Sequence, residues 1–559
     1  MKRIITIVLG ATLAFSAAAQ TWQDALLFSE NNYSGTARGV AMGNALTAIG
    51  GDTGSLTFNP AGSATASYSQ FVITPGVTFS FTNTQASANN LEAYHGQSVN
   101  NTYARMKLPN VGFIFNVETG RRSGLKRMTF GLVLNSTNNF TGRYKTAGVN
   151  ADNSYAASLA SSADGFAESV LSNGDWYYSG DPGRMPAWVD MTGYRSGMFN
   201  AVSGRDGAYV ALTEIIDEKG DFRLAAPVYQ QYGQQSYGTK TDALINFAMS
   251  FSDSFYIGAN LGFTALRYNL SEFWSEAPEN VSDFPIIRYS DGTMAQFESL
   301  RMNRKYRLDG NGVYLKLGAL WRPVAGLRLA AAVQTPTILN LTERYGYSGE
   351  VRLIGKYGGD ASSPEDEWIY ALISPFRANL GVAYTMGSRA VISADYEFVH
   401  YGQSRFRSRT GDYEYAEGSF SGVNLDIKDL LGVSHQLRLG GEYRASSVVS
   451  LRAGYNLTTG AQRNYLDGDK VVALSMQDRL AQLKHSVSAG VGFSFGSIFI
   501  DAAVRARFVP ADYVIPYYYY YAPNASEYYY KVVDDGIITP EIVVRDVLVD
   551  ALVTLGWRF

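Results

Sequence analysis

The carboxy-terminal stretch Val547–Phe559, VLVDALVTLGWRF, decides the fold. Every second side chain, on one face, is apolar: Val547, Val549, Ala551, Val553, Leu555, Trp557 and Phe559. The opposite face carries Asp546, Asp550, Thr554, Gly556 and Arg558. A period of two predicts a β-strand with one apolar and one polar face. A soluble sheet and a membrane barrel both have such strands, so this strand alone does not separate them.

Repetition of the pattern and the lengths of the connections separate the two architectures. Five more hairpins alternate in the same way and turn tightly at Pro323–Gly326, Ala445–Ser447, Gly496–Ser497, Gly387–Ser388 and Ser252–Ser254. Between them lie long polar stretches: 83–104, 140–237, 269–303, 346–373, 403–432, 461–482 and 511–540. Short turns at one end and long loops at the other are typical of outer-membrane barrels.

Further strands near 70–82, 105–118 and 125–139 bring the total to about fourteen, an even number as in bacterial barrels. The sequence therefore predicts an all-β protein, a transmembrane antiparallel up-and-down β-barrel over residues 68–559 with long extracellular loops, notably 140–237. Its excess of tyrosine and glycine, 39 and 56 residues, suits a sheet with aromatic residues at the membrane interface.

Charged residues alternate with the apolar ones in the predicted strands. They are Lys316, Arg328, Arg438, Glu442, Arg452, Asp501 and Arg505. A charge facing lipid costs a few kcal/mol, so these side chains are expected to point into the lumen. There they either pair with one another across the lumen or contact a ligand.

The amino terminus has the order of a secretory signal. Lys2 and Arg3 precede the apolar run Ile4–Phe15, and small residues lead to Ala19. We expect residues 1–19 to be a signal peptide cleaved after Ala19, because the apolar run is too short to span a membrane. The absence of cysteine excludes disulfides and thiolate metal sites. The net charge of -3 does not indicate a polyanionic partner, and no nucleic-acid binding is expected.

Residues 20–67 do not alternate as strands do. Apolar residues such as Leu26, Phe28, Met42, Leu46 and Phe58 stand among glycine-rich turns. A segment too small for its own core can be buried by folding into the barrel lumen as a plug. The alternative is a disordered leader in the periplasm.

Three short motifs in this segment carry a family resemblance: Gly35-Thr36-Ala37-Arg38-Gly39, Gly50-Gly51-Asp52 and Asn59-Pro60-Ala61-Gly62. Together they resemble the N-terminal hatch of the FadL/TodX family, the outer-membrane transporters of long-chain fatty acids and aromatic hydrocarbons, in a form similar to Bacteroidetes members. The resemblance implies a monomeric fourteen-stranded barrel closed by the hatch, ligand capture by outer loops, and lateral exit through a gap made by a kinked third strand.

The third strand, near 125–139, has no proline or glycine pair to mark such a kink. Only its polar run Asn135–Asn139 could disrupt pairing. The loop 140–237 is long enough to form an outer capture site, with short helices such as one in Tyr155–Ala160.

Candidate site residues follow from the motifs and the apolar positions of the N-terminal segment. We expect Asn59, Pro60, Ala61, Arg38 and Asp52 to hold the plug closed, with Phe28 and Phe58 beside the ligand. Proline fixes φ and can enforce the turn that blocks the passage. Arg38 and Asp52 need charge partners inside the barrel to offset their desolvation.

No catalytic or metal-binding pattern is present, so neither an enzyme nor a cofactor is expected. The four histidines, His95, His400, His435 and His485, have no metal-ligand spacing. Two functions remain open: a passive channel for hydrophobic small molecules, and a surface receptor, for example for haemin, in which the tyrosines of 517–530 would supply an axial ligand. The expected partners are the ligand, outer-membrane lipid and lipopolysaccharide, and the barrel insertion machinery.

Overall fold

The computed structural model describes residues 20–86, 98–121, 123–177, 186–289, 291–409, 420–468, 470–517 and 540–559. The predicted signal peptide and most of the tyrosine-rich run 517–530 lie outside these residues. All strands of the wall belong to one antiparallel sheet.

The wall consists of fourteen strands, five of which continue after a break or carry a short extension. In chain order they are β1 (Gln70–Ala86), β2 (Ser98–Glu118), β3 (Leu125–Asn139, then Gly142–Asn150), β4 (Val228–Phe251), β5 (Phe255–Pro278), β6 (Met294–Trp321), β7 (Leu327–Gln334, then Ile338–Ile354), β8 (Asp366–Ile373, then Arg377–Met386), β9 (Ala390–His400, then Arg405–Ser408), β10 (Val433–Arg444), β11 (Val449–Thr458), β12 (Lys484–Phe495), β13 (Ile498–Phe508, with Asp512–Val514) and β14 (Ile542–Arg558).

The sheet closes on itself because β14 pairs with β1 from Gln70↔Arg558 to Ala86↔Ile542. Neighbouring strands are consecutive in the chain, which gives the up-and-down order predicted from the sequence. Short turns join strands at one end, called the turn end below; Gly496 makes the tightest of them with a φ of +64°. The long connections leave from the opposite loop end.

Alternation along the strands places apolar side chains on the outside and charges on the inside. Leu317, Leu451 and Val553 are 49%, 50% and 42% exposed, whereas Lys316 and Arg438 are buried at 1% and 0%. The predicted lipid-facing and lumen-facing sets are thereby confirmed, and the fold is a transmembrane β-barrel.

Several strands are longer than the sequence pattern predicted. The stretches 140–237, 269–303 and 346–373 were expected to be loops, but β3, β4, β5, β6, β7 and β8 all extend into them. The connection between β3 and β4 is therefore 151–227. These extensions lack the apolar–polar alternation because they project beyond the membrane, where neither face of the strand contacts lipid.

Two neighbouring strands are interrupted at the same height by prolines. β7 breaks at Thr335–Thr337 and β8 at Ser374–Phe376, which contain Pro336 and Pro375. Proline has no N–H to donate to the ladder, so the sheet bends there. Ser374 and Thr337 bridge the two breaks, since Ser374 N donates to Thr337 O at 2.9 Å.

The helices lie in the N-terminal segment and in the loop-end connections. They are α1 (Trp22–Ser29), α2 (Ala37–Ala41), α3 (Tyr155–Ala163), α4 (Glu168–Asn173), α5 (Trp188–Ser196), α6 (Ser421–Leu430) and α7 (Met476–Ala481), with 3-10 turns at Thr53–Thr57, Pro60–Thr65, Val281–Asp283 and Tyr401–Gln403. Small strands of the loop end are Phe199–Ala201, Tyr209–Ala211, Glu214–Ile216, Phe222–Leu224, Ile287–Arg288, Lys356–Ser362, Asn464–Asp467 and Lys470–Ala473. In the part of the chain that is described, no helix is long and apolar enough to span a membrane.

Candidate functional site

The Asn59–Ala61 motif lies against the wall near the turn end. Asn59 caps the 3-10 turn Pro60–Thr65, its Oδ1 accepting from Ala61 N at 3.0 Å, while its Nδ2 donates to Ala319 O of β6 at 3.1 Å. The chain approaches so closely that a Cβ at Gly318 would lie 2.0 Å from Asn59 Oδ1. The missing side chain of Gly318 therefore makes room for this motif.

Arg38 and Asp52 have different partners. Arg38 Nε lies 2.8 Å from Glu442 Oε2 of β10, an acid that Arg452 also contacts at 2.7 Å. Asp52 accepts from Thr36 Oγ1 and from Gly54 N, each at 2.7 Å, within the N-terminal segment itself. Arg38 thus bonds the segment to the wall, and Asp52 shapes its local fold.

A buried acid holds two guanidinium groups in the middle of the lumen. Glu397 of β9 contacts Arg438 of β10 and lies 3.0 Å from Arg377 of β8. All three side chains are at most 3% exposed. Arg377 also donates to Ser29 O of α1 at 2.5 Å. Because the wall around them excludes water, these charges depend on one another for compensation.

Tyr33 connects this charged layer to the N-terminal segment. Its hydroxyl donates to Glu397 Oε1 at 2.9 Å, and its carbonyl accepts from Arg505 Nη1 at 2.7 Å. Its ring packs edge-on against Phe58 at 4.8 Å, and the Arg438 guanidinium lies over both rings. The sequence analysis did not select Tyr33, since its hydrogen-bond partners on the wall, Glu397 and Arg505, are more than 300 residues away.

A second charged cluster surrounds Asp550 of β14. Lys107 of β2 and Arg505 and Arg507 of β13 lie 2.5, 2.7 and 3.2 Å from its carboxylate. Lys107 reaches this acid from β2 by crossing the inner face of β1, where Thr78 donates to the same carboxylate. The cluster therefore joins four strands, β1, β2, β13 and β14, and through Arg505 it also contacts the N-terminal segment.

On the loop-end side of these charges, the lumen is lined by apolar and aromatic side chains. We call this region the chamber; its inward-facing residues include Leu266, Tyr268, Tyr306, Leu308, Leu339, Leu341, Tyr370 and Leu372. Helix α1 occupies it, begun by a capping box of Thr21 and Asp24, and its Phe28 packs against Tyr268 and Phe140 at 5.7 and 6.4 Å. Helix α6 adds Ile427 to the same cluster.

The passage from the chamber toward the turn end is narrow. A polar cavity of about 20 Å³ lies between α1 and the wall, lined in part by Lys240, Asp242, Tyr314 and Arg377. It is large enough for about one water molecule. Below it, the N-terminal segment packs against inward-facing wall residues such as Tyr256, Leu320 and Ala383.

The wall itself is interrupted between β2 and β3. The two strands pair only from Glu118↔Arg127 to Asn110↔Asn135, and the outer half of β2 pairs with β1 alone. Beyond Asn135, the outer half of β3 runs inside β2: Asn139 donates to Thr78 and Lys145 O accepts from Thr84, both inward-facing residues of β1. The polar run Asn135–Asn139 is where this displacement begins.

The N-terminal segment occupies the edge of β3 that β2 leaves free. Asn32 N donates to Thr137 O at 2.7 Å, and Ser34 N donates to Ser136 O at 3.0 Å. Phe140, at the break in β3, packs against Phe28 of the chamber. The interruption in the wall and the chamber are therefore adjacent.

Outside the barrel, an apolar groove lies beside this interruption. Its volume is about 310 Å³, and it is lined by residues that include Phe71, Val111, Phe113, Leu132, Leu134 and Ile245. These side chains belong to β1–β4 on the lipid-facing side.

The described residues of the connection, 151–177 and 186–227, pack as a cap over the loop end. Tyr155, Leu159, Met191 and Phe199 form its core with Phe297 of β6. Tyr517, the described member of the tyrosine-rich run, is part of this cap: its hydroxyl donates to Asn153 Oδ1 at 2.9 Å.

The cap contains a buried carboxyl group, and ionisation of this group destabilises the folded cap. Asp190 of α5 is 2% exposed and accepts from Ser162 Oγ of α3 at 2.9 Å. Burial raises its pKa from the ordinary aspartate value of about 4 to about 7. The folded cap binds this proton more tightly than the unfolded chain, so stability is greatest at low pH and is lost as pH rises from about 4 to about 7.

We predict that Asp190→Asn removes most of this pH dependence and stabilises the cap at pH 8 by at most about 4 kcal/mol. Glu276 of β5, which accepts from Tyr155 N of α3 and whose pKa burial also raises to about 7, would leave a residual dependence. The effect is measured by amide hydrogen exchange of α3 and α5 between pH 5 and 8. The measured rates are corrected for the pH dependence of intrinsic amide exchange. Asp206→Asn, at an exposed position of the cap, is the control, and equal pH profiles for wild type and Asp190→Asn would contradict the prediction.

The predicted site residues fall into two groups. Arg38, Asp52, Phe58, Asn59, Pro60 and Ala61 lie in the N-terminal segment on the turn-end side of the charges, whereas Phe28 lies apart from them in the chamber. Among the described residues, no cluster of three or more His, Asp or Glu side chains is placed to hold a metal ion.

The fold of this chain is similar to those of several solved structures. The toluene transporter TodX of Pseudomonas putida shares 13% identity, with 95% of this chain and 99% of that one covered, at a TM-score of 0.48. A FadL homologue of Pseudomonas aeruginosa covers the same shares at 12% identity and 0.46, and the toluene transporter TbuX of Ralstonia pickettii covers 95% and 100% at 12% and 0.44. This chain is similar to outer-membrane channels for hydrophobic compounds. Neither a family model nor a curated protein matches it, and similarities of this size do not assign its function.

Proposed function

We propose that this chain is a passive channel of the Gram-negative outer membrane for hydrophobic small molecules such as long-chain fatty acids. The loop end captures the ligand, the N-terminal segment of residues 20–67 acts as a plug, and release is lateral. The observation that carries this proposal is the chamber, because a lumen built for polar solutes would be lined by polar side chains.

The contacts of Phe140 support the lateral route. This residue touches Phe28 inside the chamber and stands at the break of β3, next to the unpaired edge of β2. Along the axis, by contrast, a ligand would have to pass the buried charges of Arg377, Glu397 and Arg438. An apolar ligand avoids that charged layer by leaving through the wall into the groove.

A substitution in the chamber tests the proposal. Leu308 and Leu320 are both fully buried on the inner face of β6, but Leu308 lines the chamber and Leu320 packs against the N-terminal segment. We predict that Leu308→Asn weakens binding of radiolabelled oleate at least about tenfold, since an unpaired amide in an apolar site costs roughly 1–3 kcal/mol. Leu320→Asn, with a similar cost to the fold, should bind as wild type does.

Binding is measured on refolded, heat-modifiable protein of each variant. Equal losses in Leu308→Asn and Leu320→Asn would contradict a ligand site in the chamber. Saturable binding of haemin in place of oleate would support the receptor function instead.

A further inference from the structure

The outer face of the wall changes abruptly from apolar to basic on β5, β6 and β7. The last apolar row consists of Phe263, Val313 and Ile338, which are register partners and between 43% and 51% exposed. Two rows further toward the loop end, Arg267 faces Asp309, and Arg307 follows on the same face of β6. Charges at this height lie where lipid headgroups begin.

Cations outnumber their acidic partners at this place. Three guanidinium groups share the single carboxylate of Asp309: Arg307 at 2.6 Å, Arg267 at 2.9 Å and Arg344 at 3.6 Å. Arg344 has two further acids, Glu367 at 2.7 Å and Glu365 at 3.8 Å. Within the described residues, Lys305, exposed on the same face, has no carboxylate within 4.0 Å. Four cations therefore face three carboxylates. The basic patch, defined as Arg267, Lys305 and Arg307, keeps a net positive charge.

Stability of the wall does not account for this cluster. Arg267 and Arg307 are 64% and 49% exposed, and ion pairs exposed to that degree contribute about 0–1 kcal/mol. The described residues of strands β9 to β12 have no such cluster. On the strands β9 to β12, the outward face ends in two hydrogen-bonded pairs, Tyr396 with His435 and Tyr455 with His485.

We propose that the basic patch binds the phosphate of an acylated, phosphorylated glycolipid in the outer leaflet. Guanidinium groups bind phosphate through paired, charge-assisted hydrogen bonds, and a lysine ammonium adds a point charge. The acyl chains lie along Phe263, Val313 and Ile338. Arg267 stands four residues from Phe263, roughly 13 Å along the strand, a distance that the arginine side chain and a glycan headgroup bridge together. The proposal rests on the outer-membrane placement and is independent of transport.

Native mass spectrometry of the full-length barrel in mild detergent tests the proposal, with bisphosphorylated lipid A as the probe. We expect Lys305→Gln/Arg307→Gln to lower the fraction of lipid-bound barrel at least about fivefold, since two charge-assisted contacts are lost. Asp309→Asn should raise the bound fraction, because it removes the competing carboxylate. A misfolded variant would not gain binding, so this opposite sign separates charge recognition from loss of fold. Arg352→Gln, a 64% exposed arginine nearer the tip of β7, is the control and should bind as wild type does.

Three results would overturn the proposal. They are unchanged binding by Lys305→Gln/Arg307→Gln, equal binding of dephosphorylated lipid A by the wild type, and complete displacement of the lipid by millimolar inorganic phosphate, which would indicate a site for free anions. Only variants that keep heat-modifiable migration are scored. If the double variant does not insert, Arg267→Gln is measured with Asp309→Asn under the same criteria.

Discussion

Replacing Glu397 with glutamine is expected to release the N-terminal segment from the lumen and to destabilise the barrel by about 3–5 kcal/mol. The substitution keeps the shape of the side chain but leaves the buried guanidinium groups of Arg377 and Arg438 without their acid. Tyr33 loses a charged acceptor as well. Proteolysis of residues 20–66 and the temperature of heat modification measure the two effects.

Two further variants test whether the loss of a buried charge causes this effect. Glu350→Gln removes an exposed pair with Arg352 and should change stability by less than about 1 kcal/mol. Adding Arg438→Gln to Glu397→Gln removes one uncompensated charge and should recover part of the loss. If Glu397→Gln behaved like Glu350→Gln, the charged layer would not be what seats the N-terminal segment.

A disulfide between the N-terminal segment and the wall is expected to stop transport. The chain contains no cysteine, so Thr53→Cys/Gly112→Cys would form its only bridge. A Cβ at Gly112 would lie 2.8 Å from Thr53 Cβ, and a shift of about 1 Å gives the separation a disulfide needs. Oxidation should lower uptake of long-chain fatty acids at least about tenfold, equivalent to about 1.4 kcal/mol in the barrier, and reduction should restore it.

The control is a bridge that leaves the N-terminal segment free. Ala453 and Ala489 face each other on β11 and β12, and a disulfide there joins wall to wall. Equal uptake by oxidised and reduced Thr53→Cys/Gly112→Cys would show that movement of the plug is not required. No uptake in either state, with the control active, would show that the substitutions themselves block the route.

The period of two predicted the barrel wall because lipid imposes it on every strand that it contacts. The lumen-facing charges followed for the same reason, and Arg438 and Lys316 lie where the alternation placed them. Beyond the membrane, where the strands no longer contact lipid, the apolar–polar alternation is absent from the sequence. The outer parts of β4 and β5, rich in glutamine, tyrosine and serine, have no apolar face and were predicted as loops.

The candidate site was only partly accessible from the sequence. Asn59 and Asp52 cap short 3-10 turns, a local pattern that motifs can mark. The pairing of Tyr33 with Glu397 joins residues 364 positions apart, and nothing local to either one indicates the other. Backbone carbonyl groups at the free edge of β3 accept hydrogen bonds from the backbone N–H groups of Asn32 and Ser34. Because side chains take no part in these bonds, no residue pattern in the sequence indicates them.

Uptake of radiolabelled oleate by cells that lack any other route for it tests the central claim most directly. As a second measurement, the ion conductance of the same protein is recorded in a planar bilayer. We predict saturable uptake with no steady ion conductance, because under the proposal the plug closes the lumen along its axis and an apolar ligand leaves through the wall. A correctly inserted barrel that conducts ions, or that gives no oleate uptake above cells without it, would contradict the account.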